Sequence, residues 1–275
     1  MRFAFVTVLV AGLATPAIAQ DSYNVALDGT FAPHAMPKLG GGIEGFNVDL
    51  ANEIGERLGV EMDITATQWA GLLPALQAGT YDFIVAPTTL TDERAENLLF
   101  TEGYLNTDYQ FLVAADAPEI DDLSGFAGQT IAVNRGSAYD RWARGLEDEI
   151  GWTVESFGTQ TDAVQAVLSG RAFANVAGNT GVQWAAKRNP RLKLSYLHST
   201  GLVFSMPFRK DDVETRNRIE VAIECMKLDG TMAALSEKWF GVTPEEGSAA
   251  VTAQVGFGEP GKTGYIAEPH GQTCD

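Results

Sequence analysis

The sequence predicts an α/β protein made of two similar lobes that two strands join as a hinge. The first observation is a β-α-β-α-β order between residues 23 and 86, which is the unit of a parallel sheet. The second is a repetition of that order between residues 129 and 177. The third is an apolar strand after each copy, at 109–114 and at 202–208. Lobes joined by narrow strands open and close by bending, so we expect the ligand in the cleft between them.

Residues 1–19 are predicted to be a secretory signal peptide. They combine one basic residue, a long apolar core and Ala17-Ile18-Ala19 as a small-x-small cleavage site. No cysteine follows that site, so no lipid anchor is expected, and no later apolar run has the length of a membrane span. We therefore expect an exported protein, and residues 20–275 are enough chain for one large or two modest domains.

The charge balance argues against nucleic acid as a partner. The chain has 19 basic and 36 acidic residues and a net charge of −17, whereas phosphate binding favours a basic surface. Its three histidines, His34, His198 and His270, have no partner at a spacing typical of metal sites. We expect neither a metal nor another cofactor.

The first copy of the repeat is bounded by glycine- and proline-rich turns. Apolar residues at helical spacing indicate its helices, and short apolar or alternating runs indicate its strands. In chain order we expect a strand at 23–27, a loop at 30–42, a helix at 47–58, a strand at 60–65, a helix that opens at Trp69, and a strand at 83–86.

Arg94 is predicted at the exit of the last of these strands. Pro87 lacks the N–H that would continue the ladder, and Thr91 is typical of a helix N-cap. Ligands of open α/β sheets bind beyond the carboxyl ends of the strands, so the planar guanidinium of Arg94 would face a small anion there. The alternative is a surface arginine paired with a neighbouring acid.

The second copy repeats these elements, and the chain then returns to the first lobe. Its elements are a strand at 129–133, a loop at 135–137, a helix at 139–150, a strand at 151–157, a helix that Thr161 caps, and a strand at 171–177. A helix at 211–228 follows the second crossing strand. We expect lobe 1 at 20–112 and 203–241, lobe 2 at 113–202, and an irregular tail on the surface at 242–275.

Both cysteines, Cys225 and Cys274, lie in the exported part of the chain. An even count there favours a disulfide, which would anchor the tail close to its end. The alternative is two free thiols, one of them buried.

Several ordered stretches resemble the periplasmic solute-binding proteins of ABC importers, polar amino-acid type (family 3). They are GFNVDLANEIGERLGV, QWAGLLPALQAGTYDFIV, TLTDERAENLLFTEGY, LSGFAGQTIAVNRGSAY and ECMKLDGTMAALSEKWFG. The resemblance covers roughly residues 23 to 241. It implies the type II periplasmic binding protein fold, a monomer in the periplasm, a small zwitterionic or carboxylate ligand held between the lobes, and delivery to an inner-membrane ABC permease.

The resemblance also implies a set of ligand-binding residues, each with a physical role. The family's carboxylate-clamping arginine falls on Arg94, and the hydroxyl residue of its S/T-x-T-x-x-R motif falls on Thr89. The aromatic walls fall on Phe31 and Trp69, and a residue of lobe 2 that completes carboxylate binding falls on Ser137. Taken alone, the two aromatic residues would fit a core, and Ser137 would fit a helix cap.

The second lobe departs from the family pattern where the ligand's α-ammonium is expected to bind. Phe173 replaces the usual strand aspartate, Gly178 stands where the family has an acid, and Asn179 beside it offers only a neutral acceptor. Losing a carboxylate removes a charge-assisted bond of about 1.5–3 kcal/mol. We therefore hypothesise a zwitterion with an alkylated or delocalised cation held by aromatic faces, so that betaine-like or cyclic zwitterions bind better than common amino acids.

Two other functions are consistent with the sequence. Some members of the family that this sequence resembles are dehydratases of aromatic-pathway acids. A dehydratase needs a general acid or base positioned at the substrate. Asp28, Glu44 and Glu102 are the candidates for that role. A ligand sensor that reports to a receptor is the third class. We expect a binding protein without catalytic activity.

Overall fold

The computed structural model describes residues 22–271 and residue 274, and the predicted signal peptide lies outside the described residues. The strands in this part of the chain are β1 (Ser22–Asp28), β2 (Met36–Pro37), β3 (Ile43–Glu44), β4 (Glu61–Thr67), β5 (Phe83–Ile84), β6 (Thr88–Thr89), β7 (Leu99–Phe100), β8 (Leu105–Ala114), β9 (Thr130–Asn134), β10 (Thr153–Phe157), β11 (Ala174–Gly178), β12 (Leu192–Ser205) and β13 (Pro207–Phe208). The helices are α1 (Phe46–Leu58), α2 (Trp69–Gln77), α3 (Asp92–Asn97), α4 (Ala138–Gly145), α5 (Glu147–Ile150), α6 (Gln160–Leu168), α7 (Asn179–Arg188), α8 (Val213–Leu228) and α9 (Thr231–Phe240). None of these helices is both long enough and apolar enough to cross a membrane.

Two sheets organise the chain. The first has the order β4-β1-β5-β13-β7, in which β1 pairs in parallel with β4 and β5. The second has the order β10-β9-β11-β8-β12-β6, in which β9 pairs in parallel with β10 and β11, whereas β8 runs antiparallel to β11 and β12. The short pair β2-β3 forms a separate hairpin. The parallel parts of both sheets are the two predicted β-α-β-α-β copies.

Each sheet has its own buried apolar cluster, so the protein consists of two α/β lobes. The long antiparallel strands β8 and β12 cross between them. Leu105 belongs to the cluster of the first lobe and Tyr109 to that of the second; on the returning strand, Leu202 packs on the second cluster and Val203 belongs to the first. The exact lobe boundaries at 112 and 203 stay a prediction.

Local sequence explains most element boundaries. In α1 the residues at helical spacing are buried, and Gly59 ends the helix in the left-handed conformation at φ 65°, which favours glycine. Thr91 caps α3 as predicted, because its side chain accepts a hydrogen bond from the Arg94 N–H.

Four features of the second lobe differ from the prediction. Thr159, not Thr161, caps α6, because the Thr159 hydroxyl accepts from the Asp162 N–H three residues on. The predicted helix at 139–150 is divided at Leu146 into α4 and α5. Helix α7 and the first half of β12 were not predicted, because their sequences mix polar and apolar residues without a clear period.

The tail from residue 242 contains no helix or strand in its described part, as expected, apart from a bridge between Phe257 and Ile266. It contributes buried groups as well as surface, since Ala250 is almost completely buried. Cys225 in α8 and Cys274 form a disulfide with a Cα–Cα distance of 5.4 Å. The predicted bridge is confirmed, and the alternative of two free thiols is excluded.

Candidate functional site

Arg94 is buried at the start of α3, beyond the strand predicted at 83–86, which ends at Ile84, and the short strand β6, which was not predicted. It lies in the first turn of α3, directly after β6, and only 4% of it is exposed. One terminal nitrogen donates to the Thr89 carbonyl at 2.8 Å, and the other donates to the Gly136 carbonyl of the second lobe at 3.4 Å. The guanidinium also lies over the Trp69 ring, 5.2 Å from its centroid.

Arg94 is a buried cation that lacks an anionic partner. No carboxylate oxygen of the described residues lies within 4.0 Å of a guanidinium nitrogen of Arg94, so Arg94 forms no ion pair with them. Burial and, to a smaller extent, the charge of Arg141 lower the pKa of Arg94 to about 10. The guanidinium therefore stays charged at neutral pH while its desolvation is only partly offset. Such a group binds an incoming carboxylate strongly.

Arg94 faces a narrow cavity between the lobes. Five of the six predicted ligand-binding residues line it: Phe31, Trp69, Thr89, Arg94 and Ser137. The sixth, Asn179, does not line the cavity; its side-chain oxygen accepts from the Asp108 N–H at 3.4 Å. The structure thus brings the anion-binding half of the predicted site together and leaves Asn179 outside it.

Ser137 has a structural role besides its place on the cavity wall. Its hydroxyl caps α4 by accepting from the Asp140 N–H at 3.0 Å. Tyr139 lines the cavity too, and burial raises the pKa of its phenol. Both hydroxyls are therefore neutral hydrogen-bonding groups near Arg94.

Asp28 and Asn134 form a second polar group in the cavity, and sequence reasoning did not assign them to ligand binding. Asp28 Oδ1 accepts from the N–H of Thr30 at 2.9 Å and from its hydroxyl at 2.7 Å. Asn134 Nδ2, from the second lobe, donates to Asp28 Oδ2 at 3.2 Å. Asp28 ends β1 and Asn134 ends β9, so both stand at the carboxyl end of a parallel strand, and that position was the available signal.

Phe204 occupies the region where the family pattern places an acid. A Cβ added to Gly178 would lie 3.0 Å from Phe204 Cζ, so the ring fills the space that a side chain at position 178 would need. Phe204 comes from the crossing strand β12 and lines the cavity. This wall is therefore aromatic and uncharged.

Further contacts hold the lobes against each other. His34, in the loop after β1, approaches Thr180 at the start of α7, with 2.7 Å between Nε2 and the hydroxyl. Asn47 donates to two other acceptors, so its oxygen accepts from His34 Nδ1–H at 2.8 Å and leaves Nε2 to accept from Thr180. Burial lowers the pKa of His34 to about 4, so the imidazole is neutral at pH 7.

In the described part of the chain, one group of acids has the spacing of a metal site. Glu102, Glu220 and Glu224 are buried, with oxygens within 4.8 Å of one another. The ammonium of Lys227 hydrogen-bonds Glu102 and the Gly103 carbonyl inside this group. Lys227 therefore already supplies a cation to the cluster, and the arrangement does not favour a metal.

Comparisons with known proteins agree with this geometry. The model of the bacterial extracellular solute-binding proteins, family 3, matches residues 23–242. The L-cystine-binding protein TcyJ of Escherichia coli K12 is 28% identical over 250 residues, covering 85% of this chain and 91% of that protein. An ancestral arginine-binding protein bound to arginine has a TM-score of 0.77 and 30% identity, covering 81% of this chain and 99% of that one.

An ancestral amino acid-binding protein described as a precursor of cyclohexadienyl dehydratase is also similar, with a TM-score of 0.73, 28% identity and coverage of 80% of this chain and 96% of that one. The predicted two-lobe type II fold is confirmed by these structural relatives. Because the family model spans most of the sequence, this chain belongs to the bacterial extracellular solute-binding proteins of family 3.

Proposed function

We propose that this protein is a periplasmic, monomeric receptor that captures an amino-acid-like zwitterion between its lobes and delivers it to an ABC permease in the inner membrane. The observation that carries the proposal is Arg94, a buried guanidinium without a carboxylate partner that faces a cavity between two lobes. A ligand carboxylate completes this group, and closure of the lobes removes the ion pair from water.

Groups of the second lobe lie beside Arg94, so a ligand bound to Arg94 would contact both lobes. The Gly136 carbonyl already accepts from Arg94, and Ser137 and Tyr139 present hydroxyl groups beside it. A carboxylate bound to Arg94 adds contacts to both lobes at once, so it favours the closed form by its differential affinity. A permease that recognises only the closed form then receives loaded protein.

The names of similar proteins support this ligand class and location. TcyJ is named for L-cystine, another relative is an L-arginine-binding protein of Pseudomonas aeruginosa, and a further relative is named a periplasmic histidine-binding protein. All three are named for amino acids. The predicted signal peptide at 1–19 accords with a periplasmic location.

An exported enzyme on the same fold is the second candidate, because one structural relative is described as the precursor of a dehydratase. Of the three candidate acids, Asp28 lines the cavity, whereas Glu102 is paired with Lys227. Asp28 is engaged by Thr30 and Asn134 as a hydrogen-bond acceptor, an arrangement suited to holding a cation. We expect no turnover of prephenate-like acids.

A thermal-shift screen over amino acids, other zwitterions and simple carboxylic acids tests the proposed function. A ligand that binds only the native protein raises the unfolding midpoint. Arg94→Ala should abolish the shift, since two charge-assisted bonds are lost, and Arg135→Ala should preserve it because Arg135 is exposed and does not line the cavity. A screen without any hit, or a shift that Arg94→Ala leaves unchanged, contradicts the proposal.

A further inference from the structure

The cavity has two charged poles that do not touch. Among the described residues that line it, Arg94 is the only base and Asp28 the only acid. Their side chains are not paired, because no oxygen of Asp28 lies within 4.0 Å of the Arg94 guanidinium. Tyr139 lies within the electrostatic reach of both. A zwitterion can therefore contact both poles, with its carboxylate at Arg94 and its cation at Asp28.

The acidic pole contains an unsatisfied acceptor. Asn134 is 2% exposed, and its Nδ2 donates a hydrogen bond to Asp28 Oδ2. This hydrogen bond fixes the orientation of the side-chain amide, and the amide oxygen takes no part in it. Asn134 Oδ1 is buried and has no hydrogen-bond partner in the described part of the chain. An unsatisfied buried acceptor is destabilising, so this oxygen favours an N–H donor from a ligand. A quaternary ammonium has no such donor, whereas a primary ammonium or a guanidinium has several.

Large apolar side chains form another part of the cavity lining. Phe31, Trp69 and Phe204 are all buried and line the cavity together with Ala86 and Pro87. An uncharged methylene chain suits these surfaces. A second ammonium on the α carbon does not, because near Arg94 the lining side chains offer it neutral hydroxyls and no carboxylate, and desolvating an unpaired ammonium is costly.

We propose that the ligand is an ω-ammonium or ω-guanidinium carboxylate without a charged group on its α carbon. Its carboxylate binds Arg94, its methylene chain lies along Phe31, Trp69 and Phe204, and the N–H groups of its cation donate to Asp28 and to Asn134 Oδ1. This inference rests on the proposed function of the same cavity and names its ligand class. It replaces the alkylated cation expected from the sequence with one that bears hydrogen-bond donors.

Calorimetric titration with matched ligand pairs tests the proposal. In the first pair, 5-guanidinopentanoate is arginine without its α-ammonium; in the second, 6-aminohexanoate is lysine without it. We expect the member without the α-ammonium to bind more tightly by about tenfold or more in at least one pair. In a third pair, 4-aminobutanoate should bind more tightly than its N-trimethyl derivative.

Two variants connect this preference to the acidic pole. Asp28→Asn removes the charge, and Asn134→Leu removes the acceptor while keeping the side-chain volume similar. Both should lower the affinity for the preferred ω-cationic acid by at least tenfold, and Asp116→Asn, an exposed acid outside the cavity, should not. The unfolding midpoint of each variant without ligand identifies a folding defect, and Asn134→Leu keeps the test valid if Asp28→Asn fails to fold.

The outcomes separate this inference from the proposed function. Arginine or another α-amino acid that binds as tightly as its deaminated partner, in an Arg94-dependent way, overturns the ligand class and leaves the receptor function standing. Tighter binding of the N-trimethyl derivative also overturns the ligand class, in favour of a betaine. A failure of all ligands in the broad thermal-shift screen overturns the receptor function itself.

Discussion

Asn134 donates its side-chain amide to the carboxylate of Asp28 across the cleft, with 3.2 Å between Nδ2 and Oδ2. The two residues end β9 and β1, the corresponding strands of the two repeated copies. This contact joins the two lobes at the proposed cation-binding carboxylate.

Gly181 is predicted to be essential for full closure. An added Cβ would lie 2.9 Å from the Phe31 ring, and Phe31 packs on the second lobe although its loop follows β1. Gly181→Ala should therefore destabilise the closed form by about 1–3 kcal/mol and weaken ligand binding, measured by calorimetry, while the stability of the open protein changes little.

Gly145→Ala is the matched control for that variant. Gly145 lies in helix α4, and an added Cβ would meet nothing within 4 Å. Alanine favours helix there, so we expect unchanged affinity and equal or higher stability. Equal affinities for the Gly181→Ala and wild-type proteins would show that Phe31 does not pack against α7 when the ligand is bound.

The disulfide is predicted to stabilise the protein by fixing the tail. Cys225 and Cys274 are separated by 49 positions, and closing a loop of this size constrains the unfolded chain by about 4 kcal/mol in the entropy model. Cys225→Ser combined with Cys274→Ser should lower the free energy of unfolding by up to that amount, measured by urea denaturation. A reductant should lower wild-type stability similarly and leave the double variant unchanged; an effect of reductant on the double variant would contradict this assignment.

Glu220 is predicted to make stability fall as the pH rises. Burial and, less strongly, the neighbouring charges of Glu102 and Glu224 raise its pKa to about 8, although the Gly258 N–H and the charge of Arg216 favour the ionised form. Because the native pKa exceeds the unfolded value, this contribution is complete below the unfolded pKa and is lost as the pH rises through about 8. The slope approaches about 1.4 kcal/mol per pH unit in that window.

The comparison of wild type with Glu220→Gln isolates this effect. Glutamine keeps an acceptor for the Gly258 N–H, which donates to Glu220 at 2.6 Å, but it does not titrate. The stability difference between the two proteins, measured by urea denaturation from pH 6 to pH 9, should shift in favour of the variant as the pH rises. A difference that is independent of pH would mean that Glu220 is already ionised in the native state.

His34 is predicted to act in the opposite direction at acid pH. Its native pKa is lowered to about 4, so the stability it contributes is present above the unfolded value near 6.5 and is lost as the pH falls through about 4. His34→Gln should reduce the loss of stability between pH 6.5 and pH 4, measured against wild type. An identical acid dependence in both proteins would indicate that the imidazole binds a proton within the native fold.

The site could be predicted from the sequence where its signals are local. Arg94 follows Pro87, which lies between β5 and β6, and Thr91, which caps α3, and both lie within seven residues of it. Asp28 and Asn134 carry equally local signals, but their pairing depends on how the two lobes meet, which no short stretch encodes. The departure at Gly178 was visible in the sequence, whereas the Phe204 ring that fills the space comes from a distant strand.

The burial of helix α8 could not be predicted from its sequence pattern either. Arg216, Glu220, Glu224 and Lys227 form a charged stripe that is typical of a solvated helix face, yet all four are buried. The tail covers them: the N–H of Gly258 donates to Glu220, and His270 contacts Glu224. Tertiary contacts from an irregular segment thus reverse what the helical pattern indicates.

The central claim is that Arg94 anchors the ligand by its carboxylate. The most direct measurement is the calorimetric dissociation constant of the tightest ligand from the screen for wild type and for Arg94→Ala, with Arg135→Ala as the reference. The loss of two charge-assisted bonds predicts an affinity at least about 100-fold weaker in Arg94→Ala, with Arg135→Ala close to wild type. An Arg94→Ala protein that folds normally and binds within about threefold of wild type would contradict the account.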